Sequence, residues 1–159
     1  TVRLASIYLP NGNPAPGLKF DYKLQWMNRL DQHAAALLSS EQPIVLGGDF
    51  NVIPDDHDCY DPLSWEGDAL IRPETREAFR TLTHTGYCDA LRARIPHEVI
   101  YTYWDYQAGA WQRDHGVRID HLLLSPEAVD RLGAAGVDKG PRGLEKPSDH
   151  TPVWCELNF

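Results

Sequence analysis

The sequence predicts an α/β domain. Short runs rich in aliphatic, β-branched and aromatic residues read as strands, and they alternate with stretches whose apolar residues recur three or four apart, as in helices. At 159 residues the chain has the length of one domain with a substantial core.

Val2–Leu9 opens as a strand, with Val2, Leu4, Ile7 and Leu9 apolar and Tyr8 near its end. The Pro10–Asn11–Gly12 turn signal and a loop holding Pro14, Pro16 and Gly17 follow. From Phe20 to Leu38 the spacing is helical: Phe20, Leu24, Met27, Leu30, Ala34 and Leu37 form one face, and Pro43 stops the helix. Ile44–Val45–Leu46–Gly47–Gly48–Asp49–Phe50–Asn51 reads as a buried strand that ends in polar residues. On an extended backbone Asp49 and Asn51 share a face. Such a carboxylate–amide pair either binds a water, a metal ion or a phosphate oxygen, or forms an Asx-type turn that only caps the strand.

Val52–Leu70 reads as an irregular loop, and its acidic run Asp55–Asp56–His57–Asp58 as a solvated segment without chelating spacing. Pro73–Thr83 is a helix with proline in its first turn, and Gly86 caps it. Arg72, Arg76 and Arg80 share one face, which either meets a phosphate backbone or pairs with Glu74 and Glu77. Asp89–Ile95 is a short helix ended by Pro96, and Val99–Tyr106 reads as a strand. Val117–Leu124 is a strong strand interrupted by Asp120, whose buried carboxylate needs Arg118 or a site to satisfy it. Pro126–Leu132 is a short helix, Val137–Lys146 a basic loop, and Pro152–Leu157 a final alternating strand.

Composition narrows the function. The formal net charge of −8 argues against a non-specific nucleic-acid binder. A local basic rim can still bind phosphates while acids elsewhere dominate the total. No apolar run is long enough to span a bilayer and no signal peptide is visible, so no membrane role is expected. Cys59, Cys88 and Cys155 show no metal-ligand spacing and read as reduced thiols of a cytoplasmic protein. Thr1 rather than Met opens the chain, which points to a processed chain or a piece of a longer one.

Polar residues recur at strand ends: Tyr8, Asp49 with Asn51, Asp120, and Asp149 with His150. Rigid scaffolds place sites there. A bridge from His150 to Asp120 is geometrically freer than one to its neighbour Asp149. A carboxylate beside the imidazole keeps it cationic and able to neutralise a phosphate oxygen. Asp49 can accept a proton from an attacking water while Asn51 holds that water in line. No activated serine or cysteine stands out, so direct hydrolysis by water fits better than a covalent route. Carboxylates without thiolate ligands suit a hard cation such as Mg²⁺ or Mn²⁺.

The ordered segments Ile7–Tyr8–Leu9–Pro10–Asn11–Gly12, Gly48–Asp49–Phe50–Asn51, Arg118–Ile119–Asp120–His121 and Ser148–Asp149–His150 resemble the exodeoxyribonuclease III family of DNA-repair nucleases. That family lies within the endonuclease/exonuclease/phosphatase superfamily. Tyr101–Tyr106 and Glu145–His150 look like its bacterial branch. The resemblance implies a Mg²⁺-dependent phosphodiesterase, with Mn²⁺ as substitute. Its partner would be double-stranded DNA carrying abasic sites or 3′ ends. Its activities would be abasic-site cleavage, 3′→5′ exonuclease and 3′-phosphatase. Tyr8, Asp49, Asn51, Asp120 and His150 would be catalytic. Asp49, Asn51 and Asp149 would hold metal. Tyr103, Trp104, Ile119 and Arg118 would bind substrate.

The resemblance also implies a four-layered α/β sandwich with a mixed or mainly antiparallel sheet flanked by helices, of which this chain is the C-terminal half. Family members carry a preceding segment of roughly a hundred residues, with an Asn near the first strand and a Glu that is the principal metal ligand. This chain lacks both. Alone it is therefore expected to expose an apolar sheet face, to self-associate and to hydrolyse DNA weakly or not at all. The alternatives are a superfamily phosphatase or lipid phosphodiesterase, and a non-catalytic DNA-binding or assembly half-domain.

Overall fold

The computed structural model describes residues 1–159. Ten elements run in the order β1 (Arg3–Tyr8), α1 (Leu18–Leu38), β2 (Ile44–Asp49), α2 (Pro73–His84), β3 (Cys88–Asp89), α3 (Ala90–Arg94), β4 (Asp120–Leu124), α4 (Pro126–Val129), β5 (Leu132–Val137) and β6 (Val153–Leu157). Strands β1, β2, β4 and β3 form a mixed sheet in that order, with β1 parallel to β2 and the other pairs antiparallel. Strands β5 and β6 form a separate antiparallel pair.

Alternation along β2 assigns its two faces. Ile44 and Leu46 point into one core with Met27, Leu30 and Ala34 of α1 and Phe79 and Leu82 of α2. Val45 points the other way, into a second core with Ala90, Leu91, Ala128, Leu132 and Ala135. Helices α1 and α2 thus cover one face, while α3, α4 and the β5–β6 pair cover the other. A third core, around Phe20, Ile53, Ile71 and Ile119, lies under the loops at the C-terminal end of β2. Those loops carry the site.

Three expectations are corrected. Val99–Tyr106 is not a strand, because its only ladder contacts are isolated bridges from Tyr103 to Val117 and to His150. Strand β5 occupies the end of the expected helix Pro126–Leu132 and runs on to Val137. Its sequence, LGAAGV, lacks the β-branched run that marks a strand and forms one because β6 lies beside it. The acidic run is not wholly solvated: Asp58 is fully buried. The arginine face of α2 is occupied by acids, with Arg72 on Glu74, Arg80 on Glu77 and Arg76 on Asp56 at 2.7–3.2 Å.

Candidate active site

The sheet register builds the site. Tyr8 on β1 pairs with Asp49 on β2, and Asp49 pairs with Asp120 on β4, so the three residues form a row across adjacent strand ends. Gly48 lets β1 and β2 approach closely beside that row. It adopts φ +140, and a Cβ there would lie 2.1 Å from the Ile7 carbonyl oxygen. Beyond Asp120 the row continues into His150, whose Nδ1 lies 2.9 Å from Asp120 Oδ2 and whose Nε2 lies 4.0 Å from Asp49 Oδ2.

Asp49 and Asn51 show that both sequence readings describe one object. Asn51 takes φ +49, its backbone N–H donates to Asp49 Oδ1 at 2.8 Å, and its side-chain amide donates to Asp49 Oδ2 at 3.2 Å. The Asx-type turn is what orients the carboxylate. The Asn51 amide also donates to the Leu9 carbonyl, and its own oxygen receives Asn11 at 3.4 Å.

Tyr8, Asn11, Asp49, Asn51, Tyr103, Ile119 and His150 line one cavity of about 340 Å³. Burial drives the Asp49 pKa up, to about 6, against the pull of the Asn51 N–H. Burial alone would lower the His150 pKa, and the Asp120 carboxylate outweighs it, so the imidazole is held above its ordinary value. A carboxylate that takes a proton near neutrality thus lies 4.0 Å from an imidazole whose protonated form Asp120 favours. Desolvation also raises the Tyr103 phenol, to about 12, so it stays protonated.

Of the expected catalytic residues, Tyr8, Asp49, Asn51 and His150 line this cavity, and Asp120 adjoins it through His150. Of the expected substrate-binding residues, Tyr103 and Ile119 line it. Two others are corrections. Arg118 is 1% exposed and points to the rear, where it donates to Asp58 and Asp89, so no substrate reaches it. Trp104 is 0% exposed, with its indole N–H on Asp114 and its ring edge-on to Trp111.

Of the expected metal set, Asp49 and Asn51 adjoin each other on the cavity wall, Asp149 is not on that wall, and no three Asp, Glu, His or Cys side chains converge to hold an ion. With the Asn51 side chain engaged by Asp49, Leu9 and Asn11, and Asp149 off the wall, this chain's own donors do not complete a cation site.

Sequence reasoning missed Lys23. It is fully buried, and its ammonium donates to the backbone carbonyls of Asn11 (3.0 Å) and Asn51 (2.6 Å). Desolvation lowers its pKa to about 7, against the attraction of Asp68 and Asp49. On the apolar face of α1 a lysine reads as an exception to the pattern, and that exception was the available signal. Asn11, quoted only as part of the Ile7–Gly12 segment, and Trp65, Asp68 and Leu70, in the irregular loop, are also on the cavity wall.

A profile of the Endonuclease/Exonuclease/phosphatase family matches residues 2–150. The chain belongs to this family. It is 31% identical to an exodeoxyribonuclease of Bacillus subtilis over 160 residues, spanning 99% of this chain and 61% of the relative. Among solved structures it is similar to the Neisseria 3′ phosphatase NExo bound to product DNA hairpin, with a TM-score of 0.96, 38% identity and coverage of 99% of this chain and 62% of that one. An AP endonuclease from Archaeoglobus fulgidus gives a TM-score of 0.94 and 32% identity with the same coverage. The chain therefore spans about 60% of the length of these relatives.

Proposed function

We propose that the chain carries the hydrolytic pocket of a DNA-repair nuclease. The protein would cleave phosphodiesters at abasic sites and at 3′ ends, and remove 3′-phosphates, by in-line attack of water. One observation carries this: Tyr8, Asp49, Asn51 and His150 converge on a single cavity, with Asp120 behind His150. The likeness to a 3′ phosphatase bound to a DNA product supports a DNA substrate.

In this account Asp49 takes the proton of the attacking water and Asn51 fixes the carboxylate's orientation. His150, held cationic by Asp120, donates to a phosphate oxygen and offsets the charge that builds up there. Asp149 contributes a further negative charge that favours the imidazolium. The exposed Tyr8 hydroxyl reaches toward the scissile phosphate. Tyr103 and Ile119 face the sugar.

The family is metal-dependent, and we infer Mg²⁺, with Mn²⁺ as substitute, for the whole protein. No step above passes through the ion, because this chain does not complete its site. The free thiols of Cys59, Cys88 and Cys155 support a cytoplasmic setting. Leu4 is 72% exposed on β1, an edge strand, and this supports self-association of the isolated 159-residue chain.

The test compares hydrolysis of duplexes bearing an abasic site or a 3′-phosphate by the full-length protein, with Mg²⁺ and with chelator. Metal-dependent cleavage of both is expected, with little from residues 1–159 alone. Turnover of a lipid phosphodiester with none of DNA would overturn the proposal.

A further inference from the structure

A second cavity of about 590 Å³ adjoins the catalytic one, and Trp65, Asp68 and Tyr103 line both. It lies between the loop around Tyr60–Asp68 and the loop around Asp105–His115. Its size falls within the roughly 300–1,000 Å³ of small-molecule sites. None of the steps above uses it.

Its lining is unlike that of the catalytic cavity. Tyr60, Trp65, Tyr103 and His115 supply aromatic rings, and Tyr60 and His115 stack at 4.4 Å with 5° between planes. Glu66 and Asp105 supply exposed carboxylates. Asp105 Oδ1 already receives the Gln107 N–H, which leaves its Oδ2 and the Glu66 carboxylate as acceptors. Such a surface repels phosphate, which His150 attracts next door. It suits a flat, uncharged group that stacks and offers N–H donors.

We propose that this cavity is a nucleobase subsite, taking the base of the nucleotide whose phosphate lies against His150. It rests on the nuclease function proposed above and refines it to 3′-terminal nucleotides that still carry a base. Aromatic side chains stack on any base. The carboxylates favour the amino-bearing adenine, cytosine and guanine over thymine, which has no amino group.

The test uses Tyr60→Ala and Glu66→Ala in the full-length protein, since neither residue lines the catalytic cavity. Removal of a 3′-terminal dC, a 3′-terminal dT and a base-free tetrahydrofuran nucleotide is measured for each. Tyr60→Ala should raise KM for both base-bearing ends by roughly 5- to 150-fold, the equivalent of one lost stack. KM for the base-free end should not change. Glu66→Ala should reduce the preference for dC over dT, because one of the two acceptors is lost. Equal effects on all three ends, or no effect on any, would overturn the subsite while leaving nuclease activity intact. A second arm titrates dCMP against inorganic phosphate by tryptophan fluorescence. If no DNA is cleaved, dCMP binding that is tighter than phosphate binding and lost in Tyr60→Ala still supports the subsite. dCMP binding no tighter than phosphate, or unchanged in Tyr60→Ala, would refute it.

Discussion

Two histidines near β4 mark two polar networks built from the same residue types. His150 sits at the solvent side with Asp120 and Asp49. His121 is 0% exposed, among Arg118, Asp58 and Asp89. Arg118 donates to Asp58 through Nε (2.8 Å), to Asp89 through Nη1 (2.6 Å) and to His121 Nδ1 (3.0 Å). Arg92 completes Asp58 from α3. With Nδ1 accepting from Arg118, the His121 Nε2–H donates to the Val52 carbonyl at 2.9 Å. That makes it a neutral imidazole with both nitrogens satisfied.

The outcome at each histidine follows from its neighbour. Burial lowers the His121 pKa to about 4, and the adjacent guanidinium adds to the effect. Asp120 outweighs burial at His150 and raises it. The carboxylates differ likewise. Burial would raise Asp58, but the two arginines bring it down to about 2. Asp49 has no guanidinium bonded to it: burial and the neighbouring Asp120 outweigh the more distant His150 and Lys23, and it rises to about 6. The closed network ties loop, helix and strand together, whereas the open one keeps groups that can exchange protons with a substrate.

The sharpest way to separate the two is by substitution. Asp49→Asn should lower kcat by about 10²- to 10⁴-fold while leaving Tm unchanged or raised, since an ionised, partly desolvated carboxylate is removed. Steady-state kinetics and thermal unfolding of the full-length protein check this, and a fall in both would make Asp49 part of the structural network. Arg118→Met should do the reverse. It leaves Asp58 and Asp89 buried without their cation, at about 3–5 kcal/mol of stability, with kcat of the folded fraction retained. Denaturant unfolding measures it.

Titration gives the next largest effect. His121 is neutral when folded and has an ordinary pKa when unfolded, so the unfolded chain binds the extra proton between about pH 6.5 and 4. Stability should fall by about 3 kcal/mol as pH drops through that window. His121→Gln should flatten the slope. By NMR, His150 should titrate above the ordinary histidine range. Activity should rise through about pH 6 as Asp49 ionises and fall once His150 loses its proton.

Lys23→Met should have the smallest effect. It removes two hydrogen bonds to carbonyls behind the site, at about 1–3 kcal/mol. Because the folded pKa of Lys23 is lowered to about 7, wild-type stability should rise with pH above that value, and the variant should lose the rise.

Much of the site was legible because its residues sit where patterns break: Asp49 after Ile44–Leu46, Asp120 inside an apolar run, and His150 free to reach it. Arg118 was placed at the substrate by the family resemblance alone, and its partners Asp58 and Asp89 lie 60 and 29 residues away in the chain. Trp104 was assigned with its neighbour Tyr103, although their side chains go to different surroundings. Asp58 looked solvated because neighbouring acids hide a burial that depends on Arg92 and Arg118, 34 and 60 residues away in the chain. β5 carries almost no local signal. For Arg118, Asp58 and β5 the deciding partner is distant in sequence.

Gly48 constrains any redesign of the protein. Tyr103 and Trp65, partly exposed on the cavity wall, are positions where its shape can be varied. The gap between the first two strands offers no such latitude, because even a methyl group at Gly48 collides with the Ile7 carbonyl. Library diversity is therefore best spent on the walls of the cavity, with the strand spacing that sets its floor held fixed.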